Sequence, residues 1–179
     1  ALAIKTPLPT LIAAAIGMIA WRQIPRRQLW WLLAPPAAYF AAACLSKTQI
    51  GYRHILPVYP FLIVQAAVGA AWLWRKAMTG RLACGALAAW LAVNVASSGP
   101  HYLSYFNEVT GGCAGGYRWL VDSNLDWGQG LKPLARTLKE RGNPPVFLSY
   151  FGVADPSFYG IRYTPIGLIM NVDRHEGIA

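Results

Sequence analysis

QIGYRHILPVYP (residues 49–60) is a polar stretch between two apolar runs, residues 29–45 and 56–74. Its two cationic side chains, Arg53 and His54, stand directly before the second run. An arginine at a membrane face is costly unless its side chain reaches the aqueous interface or pairs with an anion, and lipid phosphates are the anions available there. Arg53 therefore either anchors the end of a membrane helix or binds a phosphate, and the sequence leaves both interpretations open.

The charges divide the chain into two parts. All seven acidic residues lie after position 100, whereas residues 1–96 contain nine lysines or arginines and no carboxylate. The formal net charge of +9 therefore belongs to the part that carries the apolar runs, where basic residues mark loops and membrane faces. This distribution favours a membrane protein, with membrane lipid as a partner, and argues against a nucleic-acid-binding surface.

Four apolar runs are candidates for transmembrane helices, which need about 20 apolar residues. The two adjacent prolines Pro35 and Pro36 predict a kink or a break in the second run. We therefore expect a mainly α membrane region at residues 1–98 with about four transmembrane helices, at residues 4–21, 29–45, 56–74 and 82–98.

The basic loops predict the orientation of these helices. Residues 22–28 and 75–81 carry three basic side chains each, whereas the opposite face has Lys5, Lys47 and Arg53. The positive-inside rule places the two more basic loops in the cytoplasm. Everything after the fourth run is then on the outer side.

Residues 99–179 have the composition of a small soluble domain. Their pattern predicts a short amphipathic surface helix, a flexible glycine-rich loop, a strand, a helix and a second strand, at residues 101–109, 111–116, 117–121, 128–142 and 146–151. The last three elements form a β-loop-α-β unit. We thus expect an extracytoplasmic α/β domain that is incomplete at its C-terminus.

Polar side chains surround an indole in the loop before the predicted helix. Carboxylates and amides beside an aromatic face suit a carbohydrate, which offers hydroxyls and an apolar C–H face. The same side chains also suit a structural role, in which Asn124 or Asp126 caps the helix and satisfies turn amides. The candidate glycan or acceptor contacts are Asp122, Asn124, Asp126, Trp127 and Gln129.

The sequence predicts no metal site and no cofactor. Cys44, Cys84 and Cys113 are far apart and show neither zinc-binding spacing nor a disulfide framework. The oxygens around Trp127 lack the ordered spacing of a calcium-binding EF-hand loop. We therefore interpret the cysteines as small buried side chains.

Four segments, in this order, resemble a known family. GYRHILPVYP, HYLSYFNE, VDSNLDWGQ and YFGVADP begin at residues 51, 101, 121 and 150. Together they resemble the C-terminal part of bacterial membrane glycosyltransferases of the family-39 type, which have the GT-C fold and are related to the dolichyl-phosphate-mannose–protein mannosyltransferases. The resemblance extends from about residue 5 to residue 160, and DSNLDWGQ is its most specific block.

The resemblance implies a reaction and a site. It implies transfer of a sugar from a polyprenyl-phosphate carrier to a glycan, lipid or protein acceptor on the outer face of the bacterial cytoplasmic (inner) membrane. In that family, basic residues at the outer face hold the carrier phosphate. Lys5, Arg53 and His54 have donors that suit this role.

The catalytic base of that family is an acidic residue in the first external loop, and residues 1–96 contain no acid. The chain also begins without an initiator methionine or a signal-peptide pattern. We therefore expect a fragment of a longer polypeptide, with no catalytic residue of its own and no activity alone. The alternative is a non-enzymatic, membrane-anchored module that binds a glycan or a partner protein.

Overall fold

The chain folds mainly into helices, and the computed structural model describes residues 1–46, 51–120, 124–150 and 152–166. In chain order, the described α-helices are α1 (Leu2–Lys5), α2 (Leu8–Ala20), α3 (Arg26–Leu45), α4 (Tyr59–Trp74), α5 (Met78–Ser98), α6 (Gly112–Gly115) and α7 (Leu131–Glu140), and the strands are β1 (Val146–Leu148) and β2 (Tyr163–Pro165). Short 3-10 helices lie between them, at Trp21–Gln23, Gly51–Val58, Tyr102–Ser104, Glu108–Thr110, Gly116–Arg118 and Pro156–Tyr159.

Two helices are long and apolar enough to cross a membrane within the part of the chain that the structure describes. One comprises α4 and the 3-10 helix before it (Tyr52–Trp74), and the other is α5 (Met78–Ser98). They correspond to the third and fourth predicted spans. The count of four spans stays a prediction.

The first predicted span is wrong as a single helix. It is divided between α1 and α2, because Pro7 disfavours helical geometry at the residue before it, and Thr6 is extended. The second part, α2, has 13 residues and is therefore about 20 Å long, which is less than the roughly 30 Å of a bilayer core.

The second predicted span is α3, which continues through Pro35 and Pro36 as one helix of 20 residues. The predicted break at these prolines is therefore wrong, and the kink stays a prediction. The helix begins directly after Pro25, whose fixed φ suits the position before a first turn.

The closest packing in the helical unit is between α2 and α4. Gly17 and Gly69 lie at the crossing, and a Cβ on Gly69 would overlap the carbonyl oxygen of Ala13. The buried amide of Gln65 joins the same two helices, because it donates to the carbonyl oxygen of Ala14 at 3.2 Å and accepts from the indole of Trp21 at 3.0 Å. Glycine and a buried hydrogen bond thus fix the pair, as is typical of helices that pack in lipid.

The chain divides into two compact units, Ala1–Leu120 and Val121–Ala179. We expected the boundary at residues 98 and 99. The later boundary has a physical cause, since the segment after α5 is bonded to the beginning of the chain. The backbone amide of Asn107, for example, donates to the carbonyl oxygen of Ile4 at 3.0 Å.

Three local predictions after α5 are wrong. Residues 101–109 form two separate 3-10 turns instead of one amphipathic helix. The glycine-rich segment contains the short helix α6. The segment predicted as a strand begins in the 3-10 helix Gly116–Arg118 and contains no strand through Leu120.

The second unit contains α7 and a two-stranded parallel sheet. Strand β1 pairs with β2 in the register Val146 to Tyr163, so its partner in the described structure comes from later in the chain. Residues 117–120 contain no strand. Helix α7 is shorter than predicted, and the left-handed conformations of Gly142 and Asn143 follow its end. The buried core of this unit is formed by Leu131, Leu138 and Ile161.

Candidate functional site

The predicted phosphate-binding residues lie on two elements that pack together. Lys5 ends α1, Arg53 and His54 lie in the 3-10 helix Gly51–Val58, and these elements contact each other. The segments lie almost 50 residues apart in the sequence. The fold thus brings all three candidates to one end of the helical unit.

Lys5 is buried and engaged by the protein. Its ammonium group donates to the carbonyl oxygen of Leu103 at 2.7 Å and lies 3.9 Å from the centre of the Phe106 ring. A cation on an aromatic face gains electrostatic stabilisation that increases when water is excluded. This geometry makes Lys5 a structural link between α1 and the segment after α5, while its role in phosphate binding stays a prediction.

A chain of hydroxyl groups lies beside this link. The Thr6 hydroxyl donates to the carbonyl oxygen of Leu2 at 2.7 Å and lies 2.6 Å from the hydroxyl of Tyr59. Because the single Thr6 proton is already used, Tyr59 must donate to Thr6, and Tyr52 then donates to Tyr59. The two tyrosine rings also meet edge to face at 5.3 Å between their centres. These bonds fasten the 3-10 helix Gly51–Val58, called the Arg53 turn below, to the end of α1.

Arg53 and His54 differ in their surroundings. Arg53 is exposed, as an anion-binding guanidinium must be. His54 is half-buried, and its Nε2 atom is buried without a hydrogen-bond partner in the described part of the chain. A buried polar nitrogen without a partner is uncommon in folded proteins and points to a missing one.

Asn107 connects the segment after α5 to the start of the chain. Its side-chain amide is buried and donates to the carbonyl oxygens of Ala3 at 2.6 Å and Thr6 at 3.0 Å. Its side-chain oxygen is buried without a partner among the described residues. The Asn107 amide thus stabilises the extended backbone at Thr6. It gives the Thr6 carbonyl oxygen a hydrogen bond at the point where the helix is interrupted.

Glu108 is an exposed carboxylate held against α5. Its Oε1 atom accepts a hydrogen bond from the Trp90 indole at 2.8 Å. Burial opposes ionisation, but hydrogen bonds from its own backbone, Trp90 and Asn94 outweigh it and lower the pKa of Glu108. Burial and this carboxylate raise the pKa of Tyr105 to about 12. Glu108 is therefore charged near neutral pH, and Tyr105 is neutral, with its hydroxyl accepting a hydrogen bond from Asn94 at 3.4 Å.

The polar cluster in the second unit is used largely to shape its own loop. Asp126 Oδ1 accepts from the backbone amides of Gly128 at 2.8 Å and Gly130 at 3.4 Å. The Gln129 side chain accepts from the amide of Trp127 at 2.6 Å and donates to the carbonyl oxygen of Leu125 at 3.2 Å. These contacts agree with the structural interpretation, in which the side chains satisfy turn amides.

The other members of this cluster have separate environments. Asn124 is buried, whereas 46% of Trp127 is exposed, so its indole is the surface that a ligand can reach. Asp122 lies outside the described residues. Among the described residues, no three His, Cys, Asp or Glu side chains form a group that could hold a metal ion.

No family model, curated protein or solved structure matches the chain at a significant level. The family resemblance of the four segments therefore stays a prediction. Sequence reasoning missed Thr6 and Trp90 as parts of the site. The only local signal was the extended geometry that Pro7 imposes on Thr6, and nothing near Trp90 indicates its partner 18 residues later.

Proposed function

We propose that the chain is the C-terminal portion of an integral-membrane glycosyltransferase. It would move a sugar from a polyprenyl-phosphate carrier to an acceptor on the outer face of the bacterial cytoplasmic membrane. Its helical unit contributes four membrane segments, and its second unit is extracytoplasmic. The catalytic carboxylate is supplied from outside residues 1–96, which contain no acid.

The observation that carries this proposal is the position of Arg53 and His54, side by side in the 3-10 helix Gly51–Val58. An exposed guanidinium stands next to a histidine whose buried Nε2 atom has no partner in the described structure. Both lie in the first turn of the helix Tyr52–Trp74, which is long and apolar enough to cross a membrane. A phosphate oxygen on a lipid carrier suits the exposed guanidinium of Arg53, which can donate charge-assisted hydrogen bonds to it while the carrier chain lies along the helix.

The test is binding of polyprenyl phosphate by the chain in lipid nanodiscs, measured by native mass spectrometry. Arg53→Ala should weaken binding by about tenfold or more, since a hydrogen bond to a charged group contributes roughly 1.5–3 kcal/mol. His54→Leu should weaken it less. Arg81→Ala is the matched control, because Arg81 is an exposed arginine at the start of α5, and its loss should leave binding unchanged.

Equal affinity of wild type and Arg53→Ala would contradict the phosphate site. In the intact enzyme, the same variant should lose sugar transfer while its melting temperature stays that of the wild type. Normal transfer by Arg53→Ala would rule out the site as part of the reaction.

The exposed indole of Trp127 favours a second candidate, a membrane-anchored module that binds glycan. Its ring offers an apolar face to a sugar, and Asp126 and Gln129 hold the loop that presents it. Saccharide titrations followed by NMR should then shift Trp127 resonances, and Trp127→Ala should abolish binding. Trp119→Ala removes another exposed indole and should change nothing. Undisturbed spectra at high saccharide concentration would exclude this function.

A further inference from the structure

A groove with a volume of about 570 Å³ lies in the helical unit between the start of α3, α4 and the connection from α2 to α3. It extends along α4 from Phe61 to Arg75 and reaches the connection from α2 to α3, which is one of the basic loops. Its walls are mainly apolar, and the side chains that matter for the argument are Gln28, Trp31, Val64, Val68, Trp72 and Arg75.

The shape of the groove follows one face of α4. The groove is lined by Phe61, Val64, Val68 and Trp72 of α4 and by Arg75 directly after it. Each is three or four residues after the one before, so they share one face of the helix. Fourteen residues of helix rise about 21 Å. That length exceeds the roughly 15 Å of one leaflet, which is half of a bilayer core of about 30 Å, so the wall is long enough for an extended hydrocarbon chain.

One cationic side chain lines the groove. Arg75, which follows α4, is part of its wall together with Gln23 and Gln28. The ammonium group of Lys76 lies 4.3 Å from the ring centre of Trp72, which is itself part of the wall. Residues 1–107 contain no carboxylate, so no acid of that region neutralises these cations. The occupant that complements this groove has an apolar chain and an anionic head.

We propose that the groove binds an anionic phospholipid, with one acyl chain along α4 and its phosphate at Arg75. Basic pockets between membrane helices bind lipid head groups in this way. The site does not depend on the proposed transferase activity. Arg53 precedes α4 and Arg75 follows it, so the two lipid sites occupy opposite ends of one helix.

Fluorescence quenching by brominated lipids tests the proposal, because Trp31 and Trp72 line the groove and bromine quenches an indole on contact. The chain is placed in phosphatidylcholine vesicles that contain a minor fraction of brominated phosphatidylglycerol or, separately, brominated phosphatidylcholine. We expect stronger quenching by phosphatidylglycerol. The excess should disappear in the double variant Trp31→Phe and Trp72→Phe.

Two pairs of variants locate the site. Arg75→Gln should reduce the preference for phosphatidylglycerol about fivefold, as expected for one cation near an anionic lipid, whereas Arg81→Gln removes an arginine from the same end without lining the groove. Ala71→Phe places a ring in the groove and should reduce quenching. Ala67→Phe makes the same change at an exposed position of α4 outside the groove and should not.

Three outcomes would overturn the proposal. Equal quenching by the two lipids would mean that ordinary solvating lipid fills the groove. Weak quenching by both would mean that a protein segment covers it. Equal effects of Arg75→Gln and Arg81→Gln would mean a general attraction of the basic end, with no site at Arg75.

Discussion

Single buried side chains hold the beginning of the chain to the segment after α5. Lys5 and Asn107 each reach backbone carbonyl oxygens about 100 residues away in the sequence. A buried carbonyl that loses its donor costs about 1–3 kcal/mol, more than a hydrogen bond contributes on average. At the scale of residues, the polar groups therefore determine where the Arg53 turn and the segment containing Glu108 are anchored.

Asn107→Ala should lower the free energy of unfolding by about 2–4 kcal/mol. The change removes the hydrogen bonds to the carbonyl oxygens of Ala3 and Thr6, of which the second is buried, and leaves a small cavity. Unfolding in mixed micelles, followed by circular dichroism, measures the difference. Val109→Ala is the control, since Val109 is 74% exposed and should change stability by less than about 0.5 kcal/mol. Equal stability of the two variants would contradict this role of Asn107.

Trp90→Phe should raise the pKa of Glu108, because it removes the 2.8 Å hydrogen bond that favours the carboxylate. Carbon-13 NMR of glutamate side chains measures this pKa directly. Since the folded pKa is lowered, the contribution of Glu108 to stability is present above the ordinary glutamate pKa and is lost as pH falls through the folded pKa. The part of the unfolding free energy that is lost at acid pH should therefore be smaller in Trp90→Phe than in the wild type. An unchanged Glu108 titration would disprove the contact, and Trp119→Phe serves as control.

At the scale of elements, the crossing of α2 and α4 defines the helical unit. Two glycines let the backbones approach, and Gln65 satisfies polar groups inside the crossing. Membrane helices gain little from the hydrophobic effect between themselves, so close packing and buried hydrogen bonds hold them together. The crossing also orients α4, with Arg53 before it and Arg75 after it.

Gly69→Ala should destabilise the helical unit, because its Cβ would overlap the backbone of α2 at Ala13. Gly85→Ala is the matched control in α5, where a Cβ meets nothing within 4 Å. That control should raise stability by up to about 1 kcal/mol, since alanine favours helix over glycine. Melting temperatures in one detergent compare the two variants. A rise for both would show that α2 and α4 are not in close contact.

At the scale of the whole molecule, the chain combines a helical unit with a smaller unit built on α7 and a parallel strand pair. The positive-inside rule gives this molecule an orientation that site-directed labelling can test. Cys113 is exposed, so the expectation of a buried cysteine is wrong there; it lies after α5, whereas Arg81 lies in the first turn of α5. The two positions should face opposite sides of the membrane.

A variant that retains Cys113 alone, with Cys44 and Cys84 replaced by alanine, should react with a membrane-impermeant maleimide in intact cells. Replacing Cys113 as well and introducing Arg81→Cys should give a protein that reacts only after the membrane is permeabilised. Gel shifts of the labelled protein measure both reactions. If Arg81→Cys is labelled in intact cells while the variant that retains Cys113 is not, the orientation is opposite to the predicted one.

The sequence by itself determined two apolar helices, α4 and α5, and several helix ends. Hydrophobic composition predicted the cores of α4 and α5. Two prolines, Pro7 and Pro25, stand directly before α2 and α3, and Gly142 lies just after α7. These features depend on local chemistry, such as backbone restriction and the cost of polar groups in lipid. They also put the Arg53 turn at the start of an apolar helix.

Only the tertiary structure decided which distant groups meet. It brought Lys5 to Leu103 and Phe106, joined Asn107 to Thr6, and gave β1 a partner at Tyr163–Pro165, later in the chain than predicted. Such contacts depend on whether buried donors and acceptors find each other after the helices pack. Local sequence carries no record of that choice, because each of these residues is compatible with several partners until the packing selects one.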